Sequence, residues 1–255
     1  MTPQQALSDI PGFGSAVVDG KIADGITANS WRVVLDGESY VLRIDTTEAS
    51  ALGLNRSSEH EAQAVAARAG LTPEPLFTDP ERGISLRRWI AGRSWTEADL
   101  RIPSNIVRLG ELLRRIHELP PIGAMYQPGE AATRYAEQLG SPQARQTAVK
   151  ANQLLDEIRA EPAASSLCHN DLLAANLIDT GQQLVPIDWE YAGAGDPLFD
   201  LAVLIRHHRL EAGLSQRLVQ ACLGREMTNA EARRLKLWCR FYGLLLKLWS
   251  QRVGG

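Results

Sequence analysis

Apolar and polar positions along the first ninety residues follow the two-residue period of half-buried strands, with one helical interruption. Ser30-Trp31-Arg32-Val33-Val34-Leu35 and Ser39-Tyr40-Val41-Leu42-Arg43-Ile44 flank Asp36-Gly37, a pair suited to a tight hairpin turn. Ahead of them, the segment 21–30 reads as a small-residue loop between two strands, of the kind that lets backbone N–H groups approach phosphates. Residues 56–69 are Ala-rich and helical in period, with Gly70 where a C-terminal cap belongs. Pro73-Glu74-Pro75, a short apolar run and the turn 79–83 then lead a strand into Trp89-Ile90. The order strand, strand, strand, helix, strand, strand predicts an antiparallel lobe with one helix over residues 1–90.

After Gly92 the period changes. Ile106, Leu109, Leu112, Leu113 and Ile116 form a helical stripe over 104–118. Residues 131–160 are Ala-, Gln- and Arg-rich and predict a helix, and further helices are predicted at about 197–210, 213–223 and 228–252. A mostly helical lobe over 91–255 joined to a sheet lobe is an α+β, two-lobed arrangement. At 255 residues the chain can bury one large core or two smaller ones, and its apolar fraction of 44% is ordinary for a folded protein. A net charge of −3 makes no electrostatic case for nucleic acid, although residues 201–255 hold ten Lys or Arg against three Asp or Glu. No apolar run of about 18 residues predicts a membrane span, and the start, Met1-Thr2-Pro3-Gln4-Gln5, lacks the features of a signal peptide. Cys168, Cys222 and Cys239 lack metal-type spacing and suit a reducing, cytoplasmic setting, with Cys168 expected to pack as a small hydrophobe. The oligomeric state is not legible.

The chemistry concentrates in the 22 residues from His169 to Glu190. Asp171 is followed five residues later by Asn176, then by Leu177-Ile178, the turn signal Thr180-Gly181, a second apolar run at 184–187, and Asp188. Loop, strand, tight turn and strand fold Asp188 back beside Asn176. Phosphoryl transfer needs one carboxylate to orient an attacking hydroxyl and oxygen ligands to hold magnesium on the phosphates. Asp171 suits the first task; Asn176 and Asp188 are hard oxygen donors suited to the second. A solvated turn that happens to carry Asp and Asn is the alternative, and the surrounding context weighs against it.

That context resembles a family. Val41-Leu42-Arg43-Ile44, a helix with Glu59, Arg88-Trp89-Ile90-Ala91-Gly92, the segment 113–119, the segment 169–176 and Ile187-Asp188-Trp189-Glu190-Tyr191-Ala192 look like the aminoglycoside phosphotransferase and choline kinase group. Its choline, ethanolamine and thiamine kinase branch is the nearest in flavour. The resemblance spans about residues 15–252 and implies a two-lobed protein-kinase-like fold with ATP and Mg²⁺ as cofactors. It implies that Asp171 orients the hydroxyl, that Asn176 and Asp188 hold magnesium, and that His169 braces the loop. It implies that Arg43 reaches the phosphates, paired with Glu59, and that Gly25 and Thr27 belong to the phosphate loop. Backbone near Arg88 and Ile90 would receive adenine, and Asp200 would fix the catalytic loop. Two departures stand out: Arg43 replaces the lysine usual in protein kinases, and Asp24 beside the phosphates would be repulsive unless it points away. Glu61 competes with Glu59 for the pairing.

A hydroxyl acceptor is implied because Asp171 needs a proton to accept or orient. Glu190, two residues beyond Asp188, is expected to favour a cationic alcohol. Trp238, Tyr242 and Trp249 share one face of the last helix and suit either a quaternary ammonium, by cation–π contact, or core packing. Choline or ethanolamine comes first, thiamine next, then an aminoglycoside. A non-catalytic nucleotide-binding module is the alternative of a different class.

Overall fold

The computed structural model describes residues 1–254. Strands β1 (Val17–Asp24), β2 (Ala28–Leu35), β3 (Glu38–Asp45), β4 (Pro75–Asp79) and β5 (Ile84–Arg88) form an antiparallel sheet ordered β1-β2-β3-β5-β4. At the β2–β3 hairpin Asp36 and Gly37 take φ of 51° and 81°, the left-handed pair that a two-residue turn demands. Their register, with Leu35 opposite Glu38 and Val33 opposite Tyr40, decides what each face carries. One face buries Val33, Tyr40, Leu42, Ile44, Ile84 and Leu86 against Leu7 and Ile10 of an N-terminal segment. The other face turns Val41, opposite Arg87, and Arg43, opposite Ser85, toward a cleft.

This lobe carries more helix than the one expected. Besides α3 (Arg56–Arg68), it has α1 (Pro3–Asp9), closed by a Thr2–Gln5 capping box, and α2 (Thr47–Ala51). Both are too short to show a helical period in the sequence.

The rest is mainly α4 (Pro103–His117), α5 (Pro128–Leu139), α6 (Pro142–Arg159), α7 (Pro197–His207), α8 (Ala212–Leu223) and α9 (Asn229–Val253). The helix expected over 131–160 is two helices. Gly140 ends α5 at φ 66°, and Ser141 caps α6 with Pro142 in its first turn, where a proline costs no hydrogen bond. Strand β6 (Arg93–Ser94) joins a small sheet with β8 (Leu177–Asp179) and β9 (Leu184–Pro186), while β7 (Ser166–Cys168) pairs with β10 (Gly193–Gly195). The β7–β10 pair pins both ends of the 169–192 segment, and β8 and β9 form a hairpin within it. Among the described residues no helix is long and apolar enough to cross a membrane.

Helix α4 lies close on α8 because Gly110 has no side chain. A Cβ there would meet Ala221 Cβ at 2.5 Å and Leu218 O at 2.8 Å, whereas one at Gly213 of α8 would meet nothing within 4 Å. Gly110→Ala is expected to destabilise by about 1–3 kcal/mol through overpacking, despite alanine's better helix propensity. Gly213→Ala is expected to leave the melting temperature level or slightly raised. Thermal unfolding of the two variants beside wild type checks the contrast.

Candidate active site

The loop after β7 is held from behind by one carboxylate. Asp200, in the first turn of α7 and 1% exposed, accepts from the His169 N–H at 3.1 Å and the Asn170 N–H at 2.6 Å. His117 Nε2 meets the same carboxylate at 2.9 Å. Burial works against a charged imidazole, but Asp200 and Cys222 outweigh it and raise His117 to about 9. Asn170 adopts φ 63° and donates its side-chain amide to Tyr191 O at 2.8 Å. Burial lowers the pKa of His169. Its Nε2 donates to Ile187 O at 3.1 Å, and its ring lies 4.7 Å from that of Trp189. Cys168 is fully buried, and burial pushes its thiol pKa well up.

Asp171, Asn176 and Asp188 are brought together by this loop and the β8–β9 hairpin. The Ile187 N–H donates to Asn176 O at 2.9 Å, which returns the chain to the start of the hairpin. Asn176 Nδ2 donates to Asp171 O at 2.8 Å and to Asp171 Oδ2 at 3.2 Å. With its nitrogen so committed, the Asn176 amide oxygen is left for a cation. Asp188 stands at φ 64° with its side chain 38% exposed. One amide oxygen and one open carboxylate are donors of the hard type that magnesium takes. Burial, then Asp188 and Glu190, raise the Asp171 carboxyl well above the ordinary range, which suits a group that must accept a proton.

Arg43 binds the two lobes together. Its Nη1 lies 2.5 Å from Glu59 Oε1 and 3.4 Å from Asp188 Oδ1, and its Nη2 lies 2.6 Å from Glu190 Oε2. Burial opposes the charge, but Asp188, Glu59 and Glu190 raise its pKa regardless. Glu59 takes the pairing, while Glu61 is exposed. Arg56, which the sequence did not single out, holds Asp45 through two hydrogen bonds of 2.6 and 2.8 Å and Glu59 at 2.6 Å. Glu190 requires a correction. It does not stand open at the mouth: its Oε2 takes Thr27 Oγ1 at 2.8 Å, Arg43 at 2.6 Å and Arg56 at 3.3 Å. Two guanidinium groups already answer its charge. Burial and Asp188 nevertheless raise its pKa to about 7.

Two cavities meet at this point. A cleft of about 520 Å³ runs from Gly25, Thr27, Arg43, Asn176 and Asp188 to Val41, Ile90, Ile178 and Trp95. The β1–β2 turn closes one end, with the Gly25 N–H donating to Ala28 O at 3.0 Å; a Cβ on Gly25 would lie 2.4 Å from that oxygen. Asp24 is exposed and pairs with Lys21, so it adds little repulsion to the cleft. Arg88 is also exposed; its guanidinium lies 5.9 Å from the Tyr40 ring centroid, and Arg87 lines the cleft instead.

A second cavity, of about 250 Å³, lies on the other side of Asp171 and Asp188. Its aromatic lining is Tyr126, Tyr135, Tyr191, Phe199, Tyr242 and Trp249. Tyr242 and Trp249 were expected here, but Trp238 is not among the lining residues. Trp238 is buried between Phe199 and Phe241, with its Nε1 on Asp196 at 2.7 Å. Asp196 also caps α7 and pairs with Arg234, so this tryptophan serves the joint between α7 and α9. The model of the phosphotransferase enzyme family matches residues 20–249. The chain belongs to that family.

Among curated relatives, the protein LicA of Haemophilus influenzae is 28% identical over 197 residues, covering 73% of this chain and 57% of its own length. A choline/ethanolamine kinase family protein from Mesorhizobium loti superposes with a TM-score of 0.79 at 28% identity, over 97% of this chain and 84% of its own. Choline kinase LicA from Streptococcus pneumoniae gives 0.77 at 17% identity, over 92% and 86%. The α+β fold is therefore the two-lobed, kinase-like one.

The ion pair behind the phosphotransferase loop has a pH signature. Because His117 is raised from 6.5 to about 9 in the folded state, its stabilisation is full below about pH 6.5 and is lost as pH rises through about 9. The urea midpoint of wild type is expected to fall across that window more than that of His117→Asn. Parallel curves would show that the pair does not contribute.

Proposed function

We propose that this phosphotransferase moves the γ-phosphate of a purine nucleoside triphosphate, ATP by the family resemblance, to the hydroxyl of a small ammonium alcohol, with choline or ethanolamine as first candidates. The observation that carries this reading is the lining of the second cavity. It holds six Tyr, Phe or Trp rings, carboxylates at Asp171, Asp188 and Glu190, the imidazole of His207, whose pKa burial lowers, and, among the described residues, no lysine or arginine. Aromatic faces attract quaternary ammonium groups by about 0.5–2 kcal/mol each, and a volume of about 250 Å³ suits a small alcohol better than a multi-ring antibiotic. Because Glu190 is neutralised from the cleft side, the aromatic faces supply the cation preference rather than that carboxylate.

Asp171 lines this cavity, whereas Asn176 lines the cleft and Asp188 lines both. A hydroxyl entering from the aromatic side meets the Asp171 carboxylate, which orients it and takes its proton. Arg43 grips phosphate oxygens from the cleft side as a planar fork. Thr27 and the backbone of the β1–β2 turn cover the phosphates. Asn176 and Asp188 would hold magnesium, which when bound neutralises phosphate charge.

Release of nucleoside diphosphate should be measured against choline, ethanolamine, thiamine, homoserine and aminoglycosides, with choline or ethanolamine expected to give the highest kcat/KM. Preference for an aminoglycoside would overturn the reading. Trp249→Ala is expected to raise the choline KM by about three- to thirtyfold and to leave the nucleotide KM unchanged, while a neutral carbon isostere of choline should bind both forms weakly.

Asp171→Ala should lower kcat by orders of magnitude with nucleotide affinity kept, since its positioning acts in the transition state. Asp188→Asn should cost more activity than Asn176→Ala, because it removes a charge rather than a neutral ligand. Steady-state kinetics at several magnesium concentrations rank the two.

A further inference from the structure

The cleft holds a second guanidinium, on β5, that the reaction does not use. Arg87 stands on β5 opposite Val41, two positions beyond Ser85, which faces Arg43. It is partly buried, lines the cleft, and among the described residues has no carboxylate partner. Burial lowers its pKa to about 10, against the pull of Asp188 and with the repulsion of Arg43, so it stays charged at neutral pH. Its single side-chain hydrogen bond runs from Nη1 to the carbonyl of Arg88 at 3.2 Å.

That carbonyl lies where a base must be read. The phosphates belong at the Arg43, Asn176 and Asp188 end, so a purine belongs at the apolar end, among Val41, Ile90, Ile178 and Trp95. Its six-membered ring, with the C6 substituent, then faces β5 and the link between lobes. Two backbone groups there are engaged. The Trp89 N–H donates to Ser39 O at 2.9 Å, and the Arg88 carbonyl is taken by Arg87. Donors remain: the further N–H groups of Arg87, and the N–H of the cleft-lining Ile90, which has no hydrogen-bond partner among the described residues. A purine with an amino group at C6 would set donor against donor. One with an oxygen at C6 offers O6 and N7, the acceptor pair that a guanidinium matches bidentately.

We infer that Arg87 makes the cleft select a 6-oxopurine nucleotide, of the guanosine or inosine type, over an adenosine nucleotide. This rests on the cleft being the nucleotide site and refines its donor; adenosine triphosphate is then the poorer donor rather than a dead one.

The test is equilibrium displacement of a fluorescent guanosine diphosphate by ATP, GTP and inosine triphosphate with magnesium, so that no acceptor is needed. Inosine and adenosine triphosphates differ in the C6 substituent and the N1 proton that accompanies it. Wild type is expected to bind the inosine and guanosine forms about tenfold or more tightly than ATP. Arg87→Met, close in length and apolar, is expected to erase or reverse that ratio by weakening the 6-oxo forms alone. Equal affinities, or a preference for ATP, in wild type would overturn the inference without any variant. Equal weakening of all three by Arg87→Met, at an unchanged melting temperature, would also overturn it and assign the guanidinium to the phosphates. Failure of all three to displace the probe would overturn the nucleotide reading itself, a different result from loss of discrimination.

Discussion

A guanidinium taken out of water has to be met by carboxylates, and the architecture follows from how Arg43 is met. Its partners come from α3, through Glu59, and from the segment after β9, through Asp188 and Glu190. Removing any one would leave charge uncompensated in a partly buried site, which costs far more than an exposed pair contributes. The network therefore fixes the relation of sheet, α3 and hairpin. Thr27 extends it to the β1–β2 turn and Arg56 to Asp45. These ionic contacts join the cleft walls beside an apolar contact, in which Ala62, Val65 and Ala66 of α3 share one core with the helical lobe.

The same arrangement separates two kinds of recognition. On the cleft side, where the proposed function puts the phosphates, Arg43 and Arg87 line the wall; on the other side, the charged groups are carboxylates and the walls are aromatic. Asp171 and Asp188 form the partition. Under the proposed function, donor and acceptor can thus be of opposite charge and still meet at one carboxylate.

Local patterns carried most of the fold and the centre of the site. Asp36-Gly37, the 177–187 hairpin and the helix bearing Glu59 are short-range features whose turn chemistry and period are written in adjacent residues. What the sequence hid is what depends on packing between distant segments. Tyr126 reaches the aromatic cavity from the segment before α5 and Tyr135 from within α5, with no local pattern linking them to Tyr242. Trp238 and Trp249 share a helix, yet α9 turns one toward Asp196 and the other toward Tyr135. Arg87 and Arg88 are neighbours, and only strand register decides which faces the cleft. Arg56 stands three residues before Glu59, a spacing that could have flagged the pair.

The left-handed backbone at Asn170 and Asp188 shapes how the loop can be dissected. Residues other than glycine, asparagine and aspartate occupy that region at a cost of about 1–2 kcal/mol, so these two positions admit a narrow alphabet. Replacing either with alanine would combine the loss of a side chain with a strained main chain, and the resulting defect would be read as chemistry when part of it is conformational. An Asp-to-Asn exchange keeps the backbone preference and changes only charge. Informative mutagenesis here is isosteric, and a conventional alanine scan would overstate the role of both side chains.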